Sequence, residues 1–161
     1  MPSLSELIAL IPALYLLAVA WPLTVIDLRE HRLPNRLVLP AFPVALIAQS
    51  IGTVFSADWA RQLLAVGIAL LVGVLGLGAN YIDALGMGDV KLATVMALTL
   101  AYFNPWLPAI AIGIAFVLAF GVVVILIAMG KAKIGSSIPL GPYLLLSFFA
   151  ASSSWLVTHL A

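Results

Sequence analysis

The chain has 161 residues, of which 65% are hydrophobic and 8% charged, with a formal net charge of +1. Soluble domains carry about a quarter charged residues and about half apolar ones, and a domain this short could not bury so much apolar surface. The composition excludes a soluble domain, a disordered chain and a basic nucleic-acid-binding module; it predicts an all-α, polytopic membrane protein forming a single domain over 1–161.

A membrane-crossing helix needs about 20 mostly apolar residues. The first stretch free of Asp, Glu, Lys and Arg is Leu7–Ile26. Within it Ala18-Val19-Ala20 mimics a leader cleavage site, but no Lys or Arg precedes it, so a mature helix is expected. Leu37–Ala57 is the second stretch and Gln62–Ile82 the third. Gly67, Gly73, Gly76 and Gly78 give the third a small-residue face suited to close packing. Leu92–Gly130 spans 39 residues, too many for one crossing, and Asn104-Pro105-Trp106-Leu107-Pro108 is expected to break it with a turn. Ile134–Thr158 completes a set of six helices. Trp21, Trp59, Trp106 and Trp155 are expected at interfaces and in packing.

Loop charges orient the bundle. Arg29, Arg32, Arg36, Lys91, Lys131 and Lys133 fall on one side of a six-helix arrangement, and only Arg61 on the other. The positive-inside rule then puts both termini outside and the basic loops in the cytoplasm.

The chemistry must come from few residues. There is no cysteine, which excludes thiol catalysis, disulfide frameworks and Cys-based zinc sites. His31 and His159 are far apart in sequence and make a poor metal site; no metal and no cofactor is expected. Among six carboxylates, Glu6 and Asp58 have the ordinary role of solvated helix ends and Glu30 that of a surface counter-charge. Asp27 closes an apolar run, where a carboxylate opposes the helix dipole. Pairing with Arg29 or Arg32 would explain it; so would function, the usual meaning of an intramembrane carboxylate. Asp89 follows Gly86-Met87-Gly88 and could simply cap a helix. Yet Asp89–Phe103 makes only about 22 Å of helix against a hydrocarbon core of about 30 Å, which lowers Asp89 below the cytoplasmic surface. Two carboxylates at the same face can meet, share one proton and serve as acid and base for water attack on a peptide bond. Their 61 intervening residues say nothing about distance.

Three motifs carry a family resemblance. Gly86-Met87-Gly88-Asp89-Val90-Lys91-Leu92 resembles the GxGD signature of type IV prepilin peptidases; Asp27 with Leu33-Pro34-Asn35 resembles their first motif, and Ile138-Pro139-Leu140-Gly141-Pro142-Tyr143-Leu144 their third. GxGD alone is moderately specific, whereas the ordered trio is strong. The resemblance implies a bacterial inner-membrane aspartic endopeptidase that removes a short basic leader from prepilins or pseudopilins at the cytoplasmic face. It implies Asp27 and Asp89 as the catalytic pair. Gly86, Gly88, Lys91, Pro34, Asn35, Pro139, Gly141 and Pro142 enter as supporting motif residues and Asp83 as an accessory acid. Longer members insert a cytoplasmic domain, often with CxxC pairs, and also N-methylate the product. Here that connection has about ten residues and no cysteine, which resembles the short form of tight-adherence (Flp-type) systems, so methyltransferase activity is not expected.

Two other classes compete. A small transporter or channel would place polar residues deep in several helices, whereas these carboxylates gather at one face. A catalytically silent pilus-assembly subunit would not need both aspartates and the glycine frame intact. The expected partners are the prepilin and the lipid bilayer, with no nucleic acid.

Overall fold

The computed structural model describes residues 4–131 and 139–160. Lys133, the expected helix start at Ile134 and the motif residue Ile138 lie outside them. Among the described residues eight helices follow one another: α1 Leu4–Ala9, α2 Ile11–Glu30, α3 Asn35–Val38, α4 Ala41–Ser56, α5 Trp59–Tyr81, α6 Met87–Ala101, α7 Leu107–Ala128 and α8 Gly141–Leu160. The described residues contain no strand, as the all-α expectation requires.

Prolines set several boundaries that charge-free runs misplace. The first expected helix is two, α1 and α2, broken at Leu10 with Pro12 in the first turn of α2. Proline lacks the N–H that would continue the ladder. Past Ile26, α2 runs on to Glu30 and ends at His31, whose left-handed backbone (φ 50°) lets its N–H donate to the Asp27 carbonyl at 2.9 Å. The second expected helix is also divided: α3 stops before Pro40, and α4 restarts at Ala41. The last helix begins at Gly141, after Pro139, instead of running through it. The expected break between α6 and α7 is present, with Asn104 Oδ1 accepting the Trp106 N–H at 2.9 Å.

Among the described residues, four stretches are long and apolar enough to cross a membrane: Leu4–Glu30, Asn35–Ser56, Trp59–Tyr81 and Leu107–Ala128. The central helix is the shorter α6. Ten of its residues are buried, from Val90 to Ala101, against α5, α7, α8 and α4. By contrast only Ala65 and Ala69 of the 23-residue α5 are buried, so its outer face is apolar and exposed, as lipid contact demands. Gly73 and Gly76 let α5 lie close to α6, where an added Cβ would meet Thr94 at 3.3 Å and Val90 at 2.8 Å. Gly67 and Gly78 have nothing within 4 Å, so only half of the expected glycine face packs.

Polar ties clamp the end of the bundle opposite Asp89. Asp58 caps α5 by accepting the Arg61 N–H at 3.1 Å. The Arg61 side chain lies 3.6 Å from Asp58 and 3.9 Å from Glu6, and over the Tyr102 ring at 5.4 Å. Deeper inside, the buried Gln49 donates to the Leu98 carbonyl at 2.8 Å, and Thr53 meets the Tyr102 hydroxyl at 3.2 Å. These bonds join α4 to the C-terminal end of α6.

Candidate active site

Asp27 occupies the last turn of α2 on its inward face and is 3% exposed. Its Oδ2 accepts the backbone N–H of Gly141 at 2.9 Å. The first amides of a helix have no partner within the helix, and the positive end of α8 favours a carboxylate there. Pro142 suits the same first turn, where its missing N–H costs nothing. The dipole objection to a carboxylate ending α2 is thus met by the start of α8.

Asp89 is the third residue of α6, and the helix N-cap is Gly86. The capping role considered for Asp89 is therefore not its position. Its Oδ1 is buried and has no hydrogen-bond partner among the described residues. Both aspartates line one polar cavity of about 280 Å³, together with His31, Arg32, Leu33, Asn35, Lys91 and the Gly86–Gly88 turn.

The three motifs are fitted to one another by the absence of side chains. A Cβ on Gly141 would stand 2.7 Å from Asp27 Oδ2; one on Gly86 would stand 2.9 Å from Asp89 Oδ2. A Cβ on Gly88 would stand 2.8 Å from the Cβ of Leu33. Leu33 also places its Cδ2 3.2 Å from that position at Gly141. It is a buried apolar side chain in the short loop between α2 and α3, wedged between the starts of α6 and α8. One residue of the first motif therefore sets the approach of the second and the third.

The family model of the type IV leader peptidase family matches residues 14–158, and so takes in all three motifs. The chain belongs to that family. It has a leader-peptidase-like function, and with its long apolar helices this leader peptidase is a membrane protein. No curated protein and no solved structure matches it.

Other motif residues of the leader peptidase support the cavity in different ways. Lys91 Nζ donates to Asn35 Oδ1 at 2.9 Å, tying α6 to α3 across the cavity rim. Pro34 has an extended backbone, and its carbonyl accepts the N–H of Leu37 at 3.0 Å, which starts α3. Pro139 is half-buried just before α8. Asp83 is set apart: it lies exposed on the α5–α6 turn with φ 55° and does not line the cavity. Glu30 is exposed as well. Among the described residues, no three side chains of His, Cys, Asp or Glu gather into a metal-holding group.

The sequence reading takes Leu33 only as part of a motif and weighs His31 only as a poor metal ligand. Its signal was present: an apolar residue inside a charged loop, directly before Pro-Asn. His31 is exposed, but its left-handed turn brings it to the cavity wall.

Proposed function

We propose that this leader peptidase is an intramembrane aspartic endopeptidase with Asp27 and Asp89 as its catalytic pair. Its substrate is a type IV prepilin or pseudopilin of the tight-adherence kind, with a short basic leader. Cleavage takes place at the cytoplasmic face of a bacterial inner membrane. The six-crossing arrangement includes α6 and α8, and the N-terminus lies outside.

The observation that carries the reading is the shared polar cavity, in which two carboxylates from separate helices face the same space. A water molecule held between them loses a proton to one carboxylate as its oxygen bonds to the peptide carbonyl carbon. The other carboxyl group gives its proton to the carbonyl oxygen. The resulting tetrahedral centre collapses, the C–N bond breaks, and the nitrogen leaves with a proton as a free amine. The shared proton is best lodged on Asp89, whose Oδ1 has no hydrogen-bond partner among the described residues, while Asp27 is already the acceptor of the Gly141 amide. No metal or cofactor enters the scheme.

Only His31–Pro34 separate α2 from α3, which leaves no inserted domain there to methylate the product. The decisive experiment is incubation of the purified protein in detergent with a candidate prepilin, followed by N-terminal sequencing of the product. A new terminus at the leader boundary supports the reading; an intact substrate, with a positive-control peptidase active on it, refutes it.

A further inference from the structure

The connection from α2 to α3 is only His31–Pro34, and both of its ends are fixed. His31 leaves α2 in the left-handed region, with its N–H on the Asp27 carbonyl at 2.9 Å. Pro34 holds the extended backbone from which α3 starts. Leu33 is thus carried on a short, rigid support anchored at the turn of Asp27. It is 8% exposed, borders the cavity of the two aspartates and belongs to the apolar cluster of Leu92 and Leu144. Swinging it out would return buried apolar surface to water, so its side chain is held where it stands.

The base and the tip of this side chain face different acids. At the base, Leu33 Cβ is 2.8 Å from where a Cβ on Gly88 would sit, and Gly88 directly precedes Asp89. At the tip, Cδ2 is 3.2 Å from where a Cβ on Gly141 would sit, and Asp27 Oδ2 is 2.7 Å from the same point. The base therefore bears on the backbone that carries Asp89, and the tip on the residue whose amide holds Asp27. Close-packed contacts of this kind transmit displacement, because neither side can give way. We propose that Leu33 is a positioning residue of the peptidase, a spacer that sets the separation of the two carboxyl groups. In the dyad scheme it touches neither the water nor the peptide, and it acts only through Gly88 and Gly141. Its effect on rate rests on the peptidase reading; its effect on the Gly141 bond does not.

The test uses purified full-length variants, a candidate prepilin and amide hydrogen exchange read at single residues. Leu33→Ala is expected to lower kcat about tenfold or more while KM stays within about twofold. Leu33→Met, which refills the volume without branching at Cβ, should restore kcat to within about threefold. Leu28→Ala, the same truncation on an exposed leucine beside Asp27, should change neither constant. Leu33→Gly removes the Cβ that a methyl at Gly88 would strike, so with Gly88→Ala it should cleave about tenfold faster than the product of the two single losses allows. Leu33→Ala keeps that Cβ and should give Gly88→Ala no such relief. Independently of cleavage, the Gly141 amide should exchange about tenfold faster in Leu33→Ala, with Val95 and Leu98 of α6 unchanged. Full kcat in Leu33→Ala, no recovery in Leu33→Met, strict additivity with Leu33→Gly, unaltered exchange at Gly141, or faster exchange throughout α6 would each overturn the proposal. Absence of cleavage by the unsubstituted protein refutes the peptidase reading instead, and the Gly141 exchange then decides by itself whether Leu33 holds the site together.

Discussion

Asp27 and Gly141 are 114 positions apart in sequence and 2.9 Å apart as acceptor and donor. The bond makes α8 part of the site even though α8 carries no acid of its own. It also explains why glycine, and no larger residue, starts that helix. Gly141→Ala would place a methyl group 2.7 Å from Asp27 Oδ2 and push the carboxylate or the helix aside. Displacement of a reacting group by about 1 Å costs about a hundredfold in rate. A loss of that size in kcat/KM is expected, with protein accumulation unchanged. Gly78→Ala, facing open space, is the control and should retain full activity. Equal activity in the two variants would remove Gly141 from the site.

The aspartates should behave as a unit. Asp27→Asn and Asp89→Asn are each expected to lower cleavage about a thousandfold or more, and the double variant no further. Asparagine keeps the size but cannot take water's proton or share one. Glu30→Gln and Asp58→Asn should retain most activity. So should Asp83→Asn, since Asp83 stands away from the cavity and asparagine tolerates its left-handed backbone. EDTA should have no effect. The measurement is prepilin cleavage by purified variants; substantial cleavage by either single aspartate variant would end the dyad mechanism.

Topology gives a third expectation. Single cysteines at Glu30 and Lys131 should resist an impermeant thiol reagent added to intact cells, and one at Asp58 should react. Both Glu30 and Asp58 are exposed, so a difference between them reports the side of the membrane and not burial. Labelling at Glu30 and Lys131 from outside would reverse the orientation.

The mature product should carry a free amine. Intact-mass measurement of pilin processed by this enzyme alone is the check. A mass gain of one methyl group at the new terminus would place a second activity somewhere in the chain.

The parts of the fold that depend on local chemistry were legible in the sequence. Apolar runs located the helices, and Asn104 with its prolines located the α6–α7 turn. Helix ends went astray where a run free of charge crossed a proline, at Pro12, Pro40 and Pro139, because charge reports solvent and not backbone hydrogen bonding. The motif order pointed to the two aspartates. Nothing local could reveal that Leu33 wedges against Gly88 and Gly141, since contacts between distant segments leave no periodicity behind. The same holds for Gln49, whose bond to Leu98 spans 49 positions. A polar residue in an apolar run was the visible cue, and the missing part was the partner.

The burial of α6 on nearly all sides bears on how the chain is made. Its threonines, Thr94 and Thr99, return their hydroxyls to the Val90 and Val95 carbonyls of the same helix at 2.7 and 2.9 Å, so α6 has no polar face to shield. It is nevertheless short, with charged residues in its first turns, and α7 and α8 can pack on it only after they are made. Its most extensive packing is with α5, the helix that leaves the ribosome immediately before it. The two pack as a helical hairpin, with α5 the longer and more apolar companion. Asp89 is made with α6, but the Gly141 amide that Asp27 accepts is made only with α8. On the proposed dyad, proteolytic competence therefore waits for α8, and a chain cut short before Gly141 holds both aspartates without the amide that positions Asp27.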